Sequence, residues 1–163
     1  MAATQLHPAL EPVAELVGTF EGEGTGDYPT IEPFAYRERV TFDHLGTPVL
    51  AYQQRTWEPL SGQPMHGESG YLRVTPDGHA EFTIAHVFGI TELQEGEVER
   101  ADDGRTILRL GSSHLAVATT GKQVRYVSRE LRVSADGLDY DLWMAYAHVP
   151  ETHHLAASLQ RVG

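Results

Sequence analysis

The stretch Tyr36-Arg37-Glu38-Arg39-Val40-Thr41-Phe42-Asp43 changes side-chain character with a period of two. Tyr36, Glu38, Val40 and Phe42 form one set; Arg37, Arg39, Thr41 and Asp43 form the other. Successive side chains of an extended chain point to opposite faces, so the pattern predicts a strand with an inner and an outer face. The same period recurs downstream. Ala80, Phe82, Ile84, His86 and Phe88 face away from Glu81, Thr83 and Ala85. Leu138, Tyr140, Leu142, Met144, Tyr146 and His148 face away from Asp139, Asp141 and Trp143.

Turn signals separate such segments at short intervals: Leu45-Gly46-Thr47-Pro48, Leu60-Ser61-Gly62-Gln63-Pro64, Pro76-Asp77-Gly78, Asp102-Asp103-Gly104, Thr120-Gly121 and Ala135-Asp136-Gly137. Asp-Gly pairs supply the positive φ that tight hairpins require. Sequential hairpins imply an antiparallel meander, and about ten strands close into an up-and-down barrel without exposed edges. A β-sandwich is the competing all-β architecture. The helical signal is short and N-terminal, where Leu10, Val13, Leu16 and Val17 fall at helical spacing before Gly18. With no composition shift or internal repeat, residues 1–163 read as a single barrel domain. Such a barrel encloses a small ligand or holds one at its mouth.

Composition narrows the function. Twelve Lys+Arg against 23 Asp+Glu give a net charge of −11, which argues against nucleic acid or an anionic membrane as partner. The chain has no cysteine, which excludes disulfides, thiolate metal sites, iron–sulfur clusters and cysteine nucleophiles, and fits a reducing compartment. Its nine histidines are then the main nitrogen ligands. No secretory signal is visible in Met1–Leu10 and no apolar run reaches membrane-span length, so the expectation is a cytoplasmic protein. No nucleophile–base pair or carboxylate pair forms a recognisable motif. Asp102-Asp103 and Asp139-x-Asp141 read as turn and solvent-face residues.

The most unusual stretch is Gly18-Thr19-Phe20-Glu21-Gly22-Glu23-Gly24-Thr25-Gly26-Asp27-Tyr28-Pro29-Thr30-Ile31. Glycines 22, 24 and 26 would share one face of a strand and leave it bare. A phosphate loop is a poor reading, because no strand precedes the stretch and no helix follows it. Two readings remain: a bent first strand at a barrel corner, or a face bared toward a flat ligand.

Gly18-x-Phe20-x-Gly22-x-Gly24 followed by Tyr28-Pro29-Thr30-Ile31 resembles the GxWxGxG and YPTI signature of the nitrobindins, small haem-binding β-barrels of the calycin or fatty-acid-binding-protein kind. The resemblance continues through Pro33-Phe34-x-Tyr36-x-Glu38, Met65-His66-x-Glu68-x-Gly70-Tyr71-Leu72-Arg73 and Ala85-His86-x-x-Gly89-Ile90-Thr91-Glu92. It ends in His154-Leu155-Ala156-Ala157-x-Leu159-x-Arg161, and so spans almost the whole chain. One departure is Phe20 where the family has Trp, which keeps an aromatic ring but lacks the indole N–H.

The resemblance implies one ferric haem b per subunit, with a histidine of the last strand, immediately before a leucine, as axial ligand. His154 matches that position and is thereby both the iron ligand and the catalytic residue. Strand parity disagrees, since His153 shares its face with Leu155, Ala157 and Leu159; only a bulge, or a strand start after Pro150, would turn His154 inward. His153 stays the rival. Thr30 matches the threonine of the signature and is a candidate polar contact to the haem. Lys122, the only lysine in the chain, stands beside Gly121 and is a candidate propionate contact or else an ordinary solvated hairpin residue. His86 lies on an apolar face and is a candidate cofactor contact or else a hydrogen-bonded interior histidine. His66 falls in a family-like segment, and His148 shares a face with Met144 and Tyr146. Leu142, Met144 and Tyr146 are candidates for an apolar wall. The other histidines, 7, 44, 79 and 114, read as turn or solvated positions.

The resemblance further implies isomerisation of peroxynitrite to nitrate, reversible binding of nitric oxide at an open sixth coordination site, and a homodimer. Two other readings compete: a non-enzymatic carrier or sensor of nitric oxide, haem or a small apolar ligand, and a zinc site on His153, His154 or His148.

Overall fold

The protein is described here by a computed structural model covering residues 4–163. A 3-10 helix spans Pro8–Leu16 and ten strands follow. They are β1 (Gly18–Tyr28), β2 (Ile31–His44), β3 (Val49–Trp57), β4 (Pro64–Val74), β5 (His79–His86), β6 (Ile90–Arg100), β7 (Thr106–Val117), β8 (Val124–Val133), β9 (Gly137–Tyr146) and β10 (Val149–Arg161). Each strand pairs antiparallel with the next, and β1 pairs with β10, so the sheet closes on itself. The barrel reading holds, and the sandwich is excluded. Among the described residues no helix is long and apolar enough to cross a membrane.

The period-two faces appear where the sequence puts them. Tyr36, Glu38, Val40 and Phe42 are buried, while Arg37, Arg39 and Asp43 are exposed. Gly46, Gly62, Gly78 and Gly104 adopt φ of 80°, 71°, 87° and 87°, as the turn signals require. Two predicted strands stop short. β5 ends at His86, so Phe88 lies in the turn that follows; β9 ends at Tyr146, and His148 is exposed in a turn where Ala147 adopts φ 50°.

Meander topology sorts the connections onto two ends. The turns after Tyr28, Trp57, His86, Val117 and Tyr146 lie at one end, the mouth. The opposite end is closed by the N-terminal helix. Pro12 and a non-helical Val13 (φ −120°) prevent a regular α-helix, yet Leu10, Val13 and Leu16 are fully buried. They join Phe20, Phe42, Leu50, Phe82, Leu108 and Leu138 in an apolar floor. The Arg161 guanidinium fastens the helix. It donates to the Val17 carbonyl at 2.7 Å and to that of Glu15, and lies 4.6 Å over the Phe20 ring. A phenyl ring serves as that platform without an indole N–H.

The glycine face of β1 is filled by the chain itself. Gly24 pairs with Tyr36 and Gly26 with Phe34, and a Cβ on either glycine would fall on the facing aromatic ring. The bare strip is therefore a seat for two rings of β2 rather than an open approach for a ligand.

Replacing Gly24 with Ala is expected to displace the Tyr36 ring and destabilise the fold by about 1–3 kcal/mol, read from urea denaturation. Thr25→Ala, on the exposed face next door, should stay within about 0.5 kcal/mol of the parent.

Candidate functional site

A cavity of about 520 Å³ opens at the mouth, within the size range of small-molecule sites. Ile31, Phe34, Phe88, Met144, Tyr146 and Leu155 give it apolar walls. Deeper, the lining turns polar.

His154 lines this cavity because β10 carries one extra residue. His153 pairs with Trp143, but Leu155 already pairs with Leu142, so the register slips at His154. Such a bulge puts two consecutive side chains on one side of the strand, here His154 and Leu155. The imidazole packs edge-on against Tyr28 and Phe34, at centroid distances of 5.2 and 6.3 Å. Its Nδ1 lies 3.1 Å from the Asp27 carbonyl. A carbonyl only accepts, so Nδ1 carries the proton and Nε2 keeps a free lone pair. Burial lowers the pKa of His154 from its ordinary value and so favours the neutral ring, outweighing the Asp27 hydrogen bond, which pulls the other way.

His153 points the other way. Its Nε2 is 2.7 Å from Asp141 on the outer surface and its ring stands against Trp143. Parity counted along an unbroken strand selects His153; the bulge reverses that choice. Asp141, read as a solvent-face residue, also accepts from Arg132 at 2.8 Å. With His153 outside and His148 in an exposed turn, the two do not gather around His154, and the zinc site on these three is not formed.

Thr30, in the β1–β2 turn, and Lys122, in the β7–β8 turn, both line the rim of the cavity. The Lys122 ammonium lies 5.0 Å over the Phe88 ring. His86 also lines the cavity, but both its nitrogens are engaged: Nε2 lies 2.6 Å from Glu92, and Nδ1 lies 3.2 Å from both His66 and Glu68. That arrangement matches the interior hydrogen-bonded reading of His86.

The polar lining forms a connected layer across the middle of the barrel. Tyr36 and Tyr140 hydroxyls are 2.7 Å apart; Tyr140 donates to Glu38 at 2.7 Å and Gln54 donates to Glu38 at 3.0 Å. Glu68 accepts from Tyr52 at 2.8 Å and Arg129 at 3.2 Å. Glu92 also accepts from Gln94 at 2.7 Å and Ser112 at 2.9 Å. Burial disfavours every charge here, and the partners decide which survive. Arg129 and His86 outweigh burial and hold Glu68 well below the carboxylate range. His86 and Arg129 also lower Glu92 against its burial. Against burial, Glu68 and Glu92 push His86 up to about 9. Burial wins at Glu38, raised to about 7 despite hydrogen bonds from Tyr140 and Gln54. Two carboxylates thus balance two cations, and the third acid is the one that takes a proton. Gln54 Oε1 is buried without a hydrogen-bond partner among the described residues.

Sequence reasoning did not single out this layer. The signal was present at Glu38, grouped by parity with three inward residues, and at Arg129, which alternates with Val127 and Leu131. What the pattern does not show is that charges on five different strands converge at one height.

Residues 9–161 match the family model described as THAP4-like, heme-binding beta-barrel domain. The chain is 46% identical over 156 residues to a protein of Nocardia farcinica named peroxynitrite isomerase, covering 96% of this chain and 92% of that protein. It is 43% identical to peroxynitrite isomerase 2 of Mycobacterium marinum, covering 96% of both. The crystal structure of Rv2717c from M. tuberculosis superposes with a TM-score of 0.92 at 40% identity, covering 98% of this chain and 100% of that one.

The raised pKa of Glu38 sets a pH dependence. A carboxyl that holds its proton more tightly when folded contributes stability below its usual pKa near 4.5 that is lost as pH rises through about 7. Glu38→Gln lacks that loss. Between pH 4.5 and 7 its stability should therefore rise relative to wild type by up to about 3 kcal/mol, measured by denaturant titration at each pH.

Proposed function

This chain belongs to the THAP4-like, heme-binding beta-barrel domain family, and from that premise we propose that it is a haem-dependent peroxynitrite isomerase in which His154 is the iron ligand. The observation that carries the reading is the His154 imidazole itself. It stands at the wall of an apolar cavity, with Nδ1 tethered to the Asp27 carbonyl and Nε2 left as a lone-pair donor. The donor set fits ferric haem b, one per barrel: a neutral nitrogen ligand, apolar walls for a macrocycle, and Thr30 and Lys122 at the rim to meet the propionates.

Haem held by His154 would supply the iron chemistry that isomerises peroxynitrite to nitrate and binds nitric oxide reversibly. The residues of the chain do the rest. The Asp27 carbonyl fixes the tautomer and orientation of His154 and makes its Nε2 more basic. Phe34 and Tyr28 hold the ring edge-on, and Leu155 lines the same apolar wall. Peroxynitrite and nitrate have the same atoms and charge, so the net reaction takes up no proton. A site with a neutral imidazole and apolar walls is suited to it. The cysteine-free composition supports a reducing, cytoplasmic setting, and residues 1–163 are taken as one barrel domain.

Haem titration followed by absorbance tests the ligand. His154→Ala is expected to lose the Soret band of the wild-type complex, while His153→Ala keeps it; an unchanged spectrum in His154→Ala overturns the assignment. Haem-loaded wild type should also speed peroxynitrite decay to nitrate, seen by stopped-flow absorbance, and show a Soret shift with nitric oxide. Haem binding without faster decay would favour the carrier or sensor over the isomerase.

A further inference from the structure

We propose that His66, Glu68 and His86 form a second metal site, independent of His154, that binds one zinc-class divalent ion on the inner wall of the cavity. The geometry is that of one face of a coordination tetrahedron. His86 Nδ1 lies 3.2 Å from His66 Nε2 and 3.2 Å from Glu68 Oε1, and the latter two are 3.3 Å apart. An ion bound tetrahedrally at roughly 2.0–2.1 Å from nitrogen and oxygen ligands holds those ligands about 3.3 Å from one another. The three donor atoms are therefore already at the required spacing.

The sheet produces this arrangement from backbone register. His66 and Glu68 are two apart on β4 and line the cavity together. His86 is the direct cross-strand partner of Glu68 on β5. Supporting contacts leave the right atoms available. His86 Nε2 is held at 2.6 Å by Glu92, an outer carboxylate that orients a ligating imidazole and strengthens it as a donor. Glu92 is in turn fixed by Gln94 and Ser112. Glu68 spends Oε2 on Tyr52 and Arg129, so Oε1 is the oxygen left for an ion.

Two imidazoles and one carboxylate suit zinc and its neighbours, not the all-oxygen shells of calcium or magnesium. Three protein ligands leave the fourth position open toward the cavity, the arrangement of sites that bind water or a small anion rather than closed structural sites. Without an ion, the same atoms are joined by shared protons, and a purely hydrogen-bonded cluster is the alternative that measurement must separate.

Zinc titration by calorimetry and Co²⁺ titration by visible absorption, both on the full chain, provide that separation. One equivalent is expected in wild type and in His154→Ala, which lacks the proposed haem ligand. The same holds for His79→Ala, which removes the surface histidine beside Glu95 and Glu97. His66→Ala, at a position only partly buried, should lose the stoichiometric site and the tetrahedral Co²⁺ bands while keeping the wild-type far-ultraviolet circular dichroism. Glu92→Gln should bind about 10- to 100-fold more weakly, as expected when an orienting carboxylate is removed. No saturable uptake by wild type, uptake retained in His66→Ala, or uptake lost in His154→Ala or His79→Ala would each overturn the proposal.

Discussion

Arg129 sits inside the barrel with 6% of its surface exposed, and no side chain can be less easily neutralised there. A buried guanidinium is tolerable only among compensating carboxylates, because its desolvation cost is several kcal/mol. Glu68 provides the direct ion pair, Glu92 a second negative charge, and His86 a positive charge that lets both acids remain ionised. The character of the cavity follows. Below this layer the barrel is packed with apolar side chains and capped by the helix; above it lies an apolar mouth lined by His154. The charged layer gives the cavity a floor that can order water and protons, while the mouth stays greasy enough to hold a flat apolar group.

Much of this architecture is legible in the sequence because barrel strands obey a two-residue rule and hairpins announce themselves with Asp-Gly. Tyr36 to Phe42 and Leu138 to Tyr146 read correctly on that basis, as did the glycine turns at 46, 62, 78 and 104. The rule fails where the strand is irregular. Nothing local in Thr152-His153-His154-Leu155 marks the extra residue, so parity selects His153, while the family signature selects the ring that the cavity receives. Strand ends fail for a related reason: Phe88 and His148 continue the alternation in sequence but lie past the last ladder position.

The interior charges were hidden for a different reason. Glu38, Glu68, Glu92 and Arg129 belong to four strands, and Gln54 to a fifth, so their meeting depends on the relative stagger of the whole sheet. Alternation reports which face a residue takes, not its height along the barrel axis. A solitary Glu among apolar neighbours reads as an exception until its partner is found on a distant segment. The His66–Glu68–His86 triangle needed less, since two members share a strand and the third is a ladder neighbour.

The tether between His154 and Asp27 crosses the join between the first and last strands. During synthesis on the ribosome, β1 waits almost the full length of the chain for its partner. The ring and the carbonyl that aims it come together only after β10 has left the exit tunnel and the cylinder has closed. A truncated or stalled product therefore carries the carbonyl without the imidazole, and the pair that the proposed ligand geometry needs exists only in molecules that have completed folding.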